Sequence, residues 1–238
     1  MRGLAQRYDD LDKLELLTIV RGHLVNETPL RVGVGREPPL GSAADLTPLR
    51  INLKGREVPY IPGSSLKGVL RSLAESLARA QGLNIHDPWD LSAVEMEWRD
   101  RRYCVICGTF GSTKLASHVR IYDAYPEDEA RTFLKKGVVI DRDFRGARPG
   151  LLYTEEQIEP GVRWRFRMDI INIKVFPEPE DDRGRLLKQV FSMLTKGMIQ
   201  VGARRTLGYG LLSLINGKYE TYKIQNGVLE KVMEGDVT

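Results

Sequence analysis

Cysteine is scarce in this chain, with two in 238 residues. Two thiols cannot build a disulfide framework for a chain of this size, so a fold must rest on a packed core. Histidine is nearly as rare, with three residues, His23, His86 and His118. That leaves little material for acid–base chemistry built on imidazole, and none of the three has a partner visible in sequence. No apolar run approaches the length of about 20 residues that a membrane-spanning helix needs. The first residues show no signal-peptide pattern, so a cytoplasmic protein with no membrane partner is expected. A strong excess of one charge is also missing, since 36 Lys and Arg face 32 Asp and Glu for a net charge of +4. A balance this mildly basic permits a polyanionic partner without requiring one.

What is present suits one compact domain over 1–238, with insertions at approximately 36–57, 83–110 and 141–152. Hydrophobic residues make up 42% and charged ones 29%, enough for a sizeable core. The arginines cluster: Arg99, Arg101 and Arg102; Arg142, Arg145 and Arg148; Arg163, Arg165 and Arg167; Arg204 and Arg205.

The most organised stretch is Pro59 to Arg71, PYIPGSSLKGVLR. Pro62 and Gly63 predict a turn, and Ser64 or Ser65 is the expected helix cap. Leu66, Val69, Leu70, Leu73, Ala74, Leu77 and Ala78 follow on one helical stripe, with Lys67, Arg71, Glu75 and Arg79 on another. A helix N-terminus beside a lysine attracts phosphate, although the same residues also describe an ordinary capped amphipathic helix.

Upstream, Leu14 to Val25 predicts a central strand and Thr28 to Gly35 a second extended segment. Residues 36–57 lose periodicity and are expected to form a long loop, with Asp45 in a stretch of small residues. An aspartate there also suits a local turn. Downstream, Cys104 and Cys107 form a single C-x-x-C motif, a weak signal alone. With His86 they make three soft donors for a zinc ion, and Asp87, Asp90, Glu95 or Glu97 could complete the shell. Buried free thiols and a redox pair are the competing readings, the second disfavoured because no βαβ frame surrounds the motif.

Val119 to Ile121 predicts a strand, and His118 beside it suits packing or an outward-facing polar contact better than base catalysis. Val138 to Ile140 is strand-like and leads into a loop rich in arginine and glycine. Trp164, Phe166, Met168 and Ile170 alternate with polar residues and predict a strand with one buried face. Leu186, Leu187, Val190, Phe191 and Leu194 define a second helix. Gly202, Gly208, Tyr209 and Gly210 then form a glycine-rich turn between apolar segments, with Arg204 and Arg205 supplying charge. Residues 215–238 are expected to form a short hairpin and a polar tail.

The run VPYIPGSSLKGVLRSLAE resembles the signature of the RAMP superfamily, the RNA-binding proteins of CRISPR systems, and looks most like the backbone subunit of type III (Csm/Cmr-type) effector complexes. FGSTKLASHVRIYD, IDRDFRGARPGLLY and the turn at 202–210 are similar to further segments of that family. The resemblance implies an α+β, ferredoxin-like (RRM-like) βαββαβ domain with inserted loops and a zinc-binding insertion. It implies contact with a guide RNA through Ser64, Ser65, Lys67, Arg71, Arg142, Arg145, Gly202, Arg204, Arg205, Gly208, Tyr209 and Gly210. It makes Asp45 the candidate catalytic residue and His86, Cys104 and Cys107 the candidate metal ligands. The loop at 141–152 would be a thumb-like hairpin that inserts between guide and target, with Phe144 as its wedge.

The implied activity is metal-dependent cleavage of target RNA, magnesium being one suitable ion, by attack of a 2′-hydroxyl that leaves a 2′,3′-cyclic phosphate. Partners would be the guide RNA, the target RNA, further copies of the chain and other subunits of the effector. A purely structural guide-binding subunit and a guide-processing ribonuclease are the alternatives.

Overall fold

The computed structural model of the chain describes residues 7–33, 42–143, 145–225 and 227–237. Val34 and Gly35, the first part of the loop at 36–57 and Phe144 lie outside the described residues, as do the side chains of 148–150.

The chain runs β1 (Leu16–Asn26), β2 (Arg50–Leu53), β3 (Arg56–Pro59), α1 (Gly63–Ala80), α2 (Leu91–Asp100), α3 (Cys107–Phe110), β4 (Val119–Ile121), β5 (Thr132–Asp141), β6 (Gly146–Ile158), β7 (Arg163–Ile171), α4 (Asp182–Thr195), β8 (Ile199–Gln200), a 3-10 turn (Arg205–Leu207), β9 (Leu211–Gln225) and β10 (Val228–Asp236). The class is α+β. The main sheet has the strand order β10-β9-β1-β7-β4, with β8 added on β9, and its pairings are antiparallel.

Alternation decides which face of this sheet is buried. Val20 and Leu24 of β1 and Trp164, Phe166, Met168 and Ile170 of β7 are buried. They belong to one apolar cluster with Leu66, Leu70, Ala74 and Ala78 of α1 and Leu186, Leu187, Val190, Phe191 and Leu194 of α4. Both helices therefore form a layer on one face. Arg21, Arg163 and Arg165 alternate with those core residues and are exposed.

Several sequence expectations need correction. The helix at 63 is not capped by Ser64 or Ser65. Pro62 is the N-cap and makes no side-chain bond, while Asp123 accepts the Gly63 amide at 2.8 Å. The expected loop at 36–57 ends in a hairpin, β2–β3, turned by Lys54 and Gly55 at φ 52° and 82°. The basic loop at 141–152 is only the tip of the long hairpin β5–β6, which begins at Thr132 and ends at Ile158. The expected C-terminal hairpin is present but longer than foreseen: β9 and β10 pair as far as Lys218 and Asp236 along the edge of the main sheet, in place of a polar tail. A further helix, α2, occupies the second insertion, capped by Asp90, which accepts the Ala93 amide.

Candidate nucleic-acid interface and metal centre

The glycine-rich turn is shaped by its own backbone. Gly202, Arg204, Gly208 and Gly210 all have positive φ. At Gly210 an added Cβ would lie 1.9 Å from the Val201 carbonyl, and at Gly202 it would lie 2.4 Å from the Arg31 carbonyl. These two glycines serve close approach within the protein. Gly208 has φ 82° and open space around it, so it alone of the three faces outward freely. Gln200 pins the turn by donating to the carbonyls of Arg205 and Tyr209.

This turn and α1 face each other across a groove of about 430 Å³. Val69, Ser72, Leu73 and Ser76 line one side, and Met198, Gln200, Arg205 and Thr206 the other. Helical spacing places Ser65 on the same stripe as Val69, Ser72 and Ser76. Arg205 is exposed and makes no ion pair among the described residues.

The remaining predicted contacts divide. Ser64 is exposed and Lys67 half-buried at the N-terminal end of α1. Burial and then the neighbouring Arg71 lower the Lys67 ammonium from its ordinary value. Arg71 is committed to the fold: its Nε pairs with Glu75 at 2.9 Å and its Nη1 donates to the Gly111 carbonyl. Arg204 is likewise engaged, with Glu155 and the Tyr153 hydroxyl. Tyr209 is half-buried, with the Lys135 ammonium bonded to its hydroxyl and over its ring. Arg142 and Arg145 are exposed at the tip of β5–β6, away from the groove's lining.

Asp45 is exposed and docked on β6. Its amide donates to the Thr154 carbonyl at 2.9 Å, and its carboxylate accepts the Thr154 amide at 2.7 Å. Neighbouring Leu46 forms a parallel bridge with Glu155. The segment around Leu30 to Gly33 lies between this loop and the turn. Leu49 donates to the Val32 carbonyl, and Ala203 donates to the Arg31 carbonyl. The fold thus gathers Asp45, the 30–33 segment and the glycine-rich turn beside β6.

The second insertion brings His86, Glu97, Cys104 and Cys107 together, with their ligand atoms within 4.8 Å of one another. Of the four carboxylates that could complete the shell, Glu97 is the one in place. Helix α2 carries Glu97 to His86 Nε2 at 3.0 Å, and His86 Nε2 lies 3.5 Å from Cys107 Sγ. The Cys104 amide donates to Glu97 Oε1 at 2.6 Å, while Glu97 Oε2 is buried without a hydrogen-bond partner among the described residues. A buried carboxylate oxygen left over, with two thiols and an imidazole around it, is a donor set suited to a tetrahedral cation.

Electrostatics agree with that use. The Cys107 hydrogen bond is the leading cause that lowers the Cys104 thiol to about 7, and the same contact raises Cys107. Burial works against the His86 cation, but the Asp87 carbonyl and the Glu97 carboxylate outweigh it and raise its pKa.

The other histidines have structural settings. His118 is fully buried with Nε2 at 2.7 Å from Asp10, which settles its choice between packing and an outward-facing contact in favour of packing. His23 lies 3.3 Å from Glu127. Neither lines the groove. The sequence named Glu97 as one carboxylate among four without choosing it, and gave no sign of Glu155, which is 3% exposed.

The model of the RAMP superfamily matches residues 23–213, most of the chain, from the middle of β1 into β9. No curated protein matches the sequence.

Proposed function

The chain belongs to the RAMP superfamily, and on that premise we propose that it is a guide-RNA-binding backbone subunit of a type III CRISPR effector that cleaves complementary target RNA. The family places it among the RNA-binding proteins of CRISPR complexes; the subunit role and the cleavage are our reading. The observation that carries it is the shared groove between α1 and the glycine-rich turn. A single RNA strand lying there would meet Ser72, Ser76, Thr206, Arg205 and the open backbone at Gly208. These groups contact phosphate and sugar without reading bases.

The chain order β1, α1, β4, β7, α4, β9, with the spatial order β9-β1-β7-β4, supports a ferredoxin-like core, and β10 is then an addition at its edge. The hairpin β5–β6 fits the role of a thumb. It exposes Leu134, Val138, Val139, Ile140, Leu151 and Leu152, a quantity of apolar surface suited to stacking against bases. In the second insertion His86, Glu97, Cys104 and Cys107 would hold a structural zinc that staples α2 to the loop before α3. That ion would stabilise and would not catalyse.

For cleavage, Asp45 would orient a divalent cation such as magnesium at the scissile phosphate, and the 2′-hydroxyl would attack to leave a 2′,3′-cyclic phosphate and a 5′-hydroxyl. A carboxylate is a weak base at its ordinary pKa, which favours the role of metal ligand over that of proton acceptor. Asp45 keeps one carboxylate oxygen outside its bond to Thr154.

That bond also favours a second reading, a non-catalytic guide-binding subunit in which Asp45 only closes a local turn. The two are separated by incubating the assembled complex with complementary RNA, with magnesium and with chelator. Magnesium-dependent cuts ending in cyclic phosphate support the nuclease; intact RNA supports the structural subunit. Binding of single-stranded RNA should weaken with salt. Each phosphate neutralised by a lysine or arginine on a single strand contributes a log–log slope of about −0.7, and a slope near zero overturns the groove as an RNA track.

A further inference from the structure

Glu155 is a buried carboxylate between two guanidiniums. Its Oε1 receives Arg204 Nε at 3.0 Å and Arg31 Nη2 at 3.4 Å. Arg204 Nη2 also donates to the Tyr153 hydroxyl at 2.6 Å, and its guanidinium lies 5.1 Å from the centre of that ring. Among the described residues Arg31 Nε is buried without a partner, so the charge of Arg31 rests on Glu155. The backbones on either side are joined as well. Ala203 donates to the Arg31 carbonyl and Gly210 to the Pro29 carbonyl, both at 2.9 Å. The turn at 202–210 and the segment at 29–31 therefore move as one piece, and Glu155 fixes that piece to β6. One residue earlier on β6, the Thr154 amide holds Asp45.

We infer that Glu155 is a positioning residue, which locks the glycine-rich turn at a fixed offset from Asp45 by clamping Arg31 and Arg204 to β6. It touches no phosphate. Its effect on RNA passes through the turn, so this role deepens the reading of the groove as an RNA track and rests on it. Without the carboxylate, the buried Arg31 guanidinium faces the part-exposed Arg204 uncompensated, and the way to relieve the pair is for the turn to lift.

The test is amide hydrogen exchange on the free chain, which needs no RNA. Glu155→Gln is expected to raise exchange across 202–210 by roughly tenfold, as a local opening confined to that segment. Glu156→Gln is the control. It removes an ion pair from the same strand, but its partners are Arg50 and Thr132, and exchange at 202–210 should stay at the wild-type rate. Should Glu155→Gln fail to fold, Tyr153→Phe removes one bond to Arg204 and should give a smaller rise at the same residues. Wild-type exchange at 202–210 in every folded Glu155 or Tyr153 variant overturns the role. So does an equal rise in Glu156→Gln.

A second readout separates positioning from contact. Glu155→Gln should weaken single-stranded RNA binding without altering the log–log salt slope, because no phosphate contact is lost. A slope altered by one contact or more overturns it. If the exchange result holds while the wild-type chain binds no RNA, the clamp stands and the RNA track falls.

Discussion

The Thr154 amide donates to the Asp45 carboxylate at 2.7 Å, and the Asp45 amide returns a bond to the Thr154 carbonyl. This reciprocal pair fixes an exposed aspartate to the base of the β5–β6 hairpin. The backbone bond survives any substitution at the side chain. Asp45→Ala should therefore cost about 1 kcal/mol or less and leave RNA affinity unchanged. In the assembled complex it should abolish target cleavage. Cleavage at the wild-type rate in Asp45→Ala removes this residue from the mechanism and favours the structural subunit.

The four donors of the second insertion make a prediction that needs no RNA. Elemental analysis of the purified chain should return one zinc per molecule. Thiols bind as thiolates, so retention should fall on acidification, with protons displacing the ion. Cys104→Ser or Glu97→Gln should lower occupancy and melting temperature together. A fully folded preparation without metal, melting at the same temperature before and after chelation, refutes the site.

The glycines of the turn are not equivalent, and stability measurements can show it. Gly208 sits at φ 82° with nothing near, so Gly208→Ala should cost about 1–2 kcal/mol, the penalty of left-handed backbone, and still fold. At Gly210 the same methyl meets the Val201 carbonyl at 1.9 Å, and backbone must shift to admit it. Denaturant midpoints should fall several times further for Gly210→Ala. Equal losses would mean that the turn repacks freely.

Acid should unlock a different contact. Arg50 forks onto Glu156 at 2.8 and 2.6 Å, joining the β2–β3 hairpin to β6. This fork leads the causes that hold the Glu156 carboxyl below the usual range. A folded value below the unfolded one means that the contribution is present in full above about pH 4.3 and is lost as pH falls through the folded value. Glu156→Gln should therefore destabilise by about 1–2 kcal/mol at neutral pH. The gap between variant and wild type should close in acid, and a gap constant with pH refutes the assignment.

The parts of this fold that follow a local period were legible. Trp164, Phe166, Met168 and Ile170 alternate and are buried; Leu66, Leu70, Ala74 and Ala78 repeat along a helix and are buried. What failed to show depends on distant partners. The Gly63 amide at the start of α1 is held by Asp123, 60 positions away, so two nearby serines looked like the better candidates. Helix α2 escaped because its apolar residues Leu91 and Met96 are exposed, which blurs the stripe that marks a packed helix. The β2–β3 hairpin turns on Lys54, a residue that seldom takes positive φ. In the site, the residue types of the turn and of the C-x-x-C motif were readable. That Arg71 and Arg204 are spent on Glu75, Gly111, Glu155 and Tyr153 was not, since charge in a sequence does not reveal its partner.

The last prediction uses that distinction between engaged and open cations. Arg205 is exposed on the groove wall, whereas Arg71 is held by Glu75 and the Gly111 carbonyl. If a single RNA strand lies in the groove, Arg205→Ala should weaken binding and make the log–log salt slope shallower by about 0.7, one phosphate contact on a single strand. Its melting temperature should hardly move, because an exposed arginine that makes no ion pair among the described residues supports little of the fold. Arg71→Ala should show the reverse: a loss of stability of about 1–3 kcal/mol from two part-buried bonds, with the slope unchanged. Salt titrations of both variants at one temperature decide the matter. A slope that responds to Arg71 and ignores Arg205 would place the RNA along the N-terminal end of α1 rather than between that helix and the glycine-rich turn.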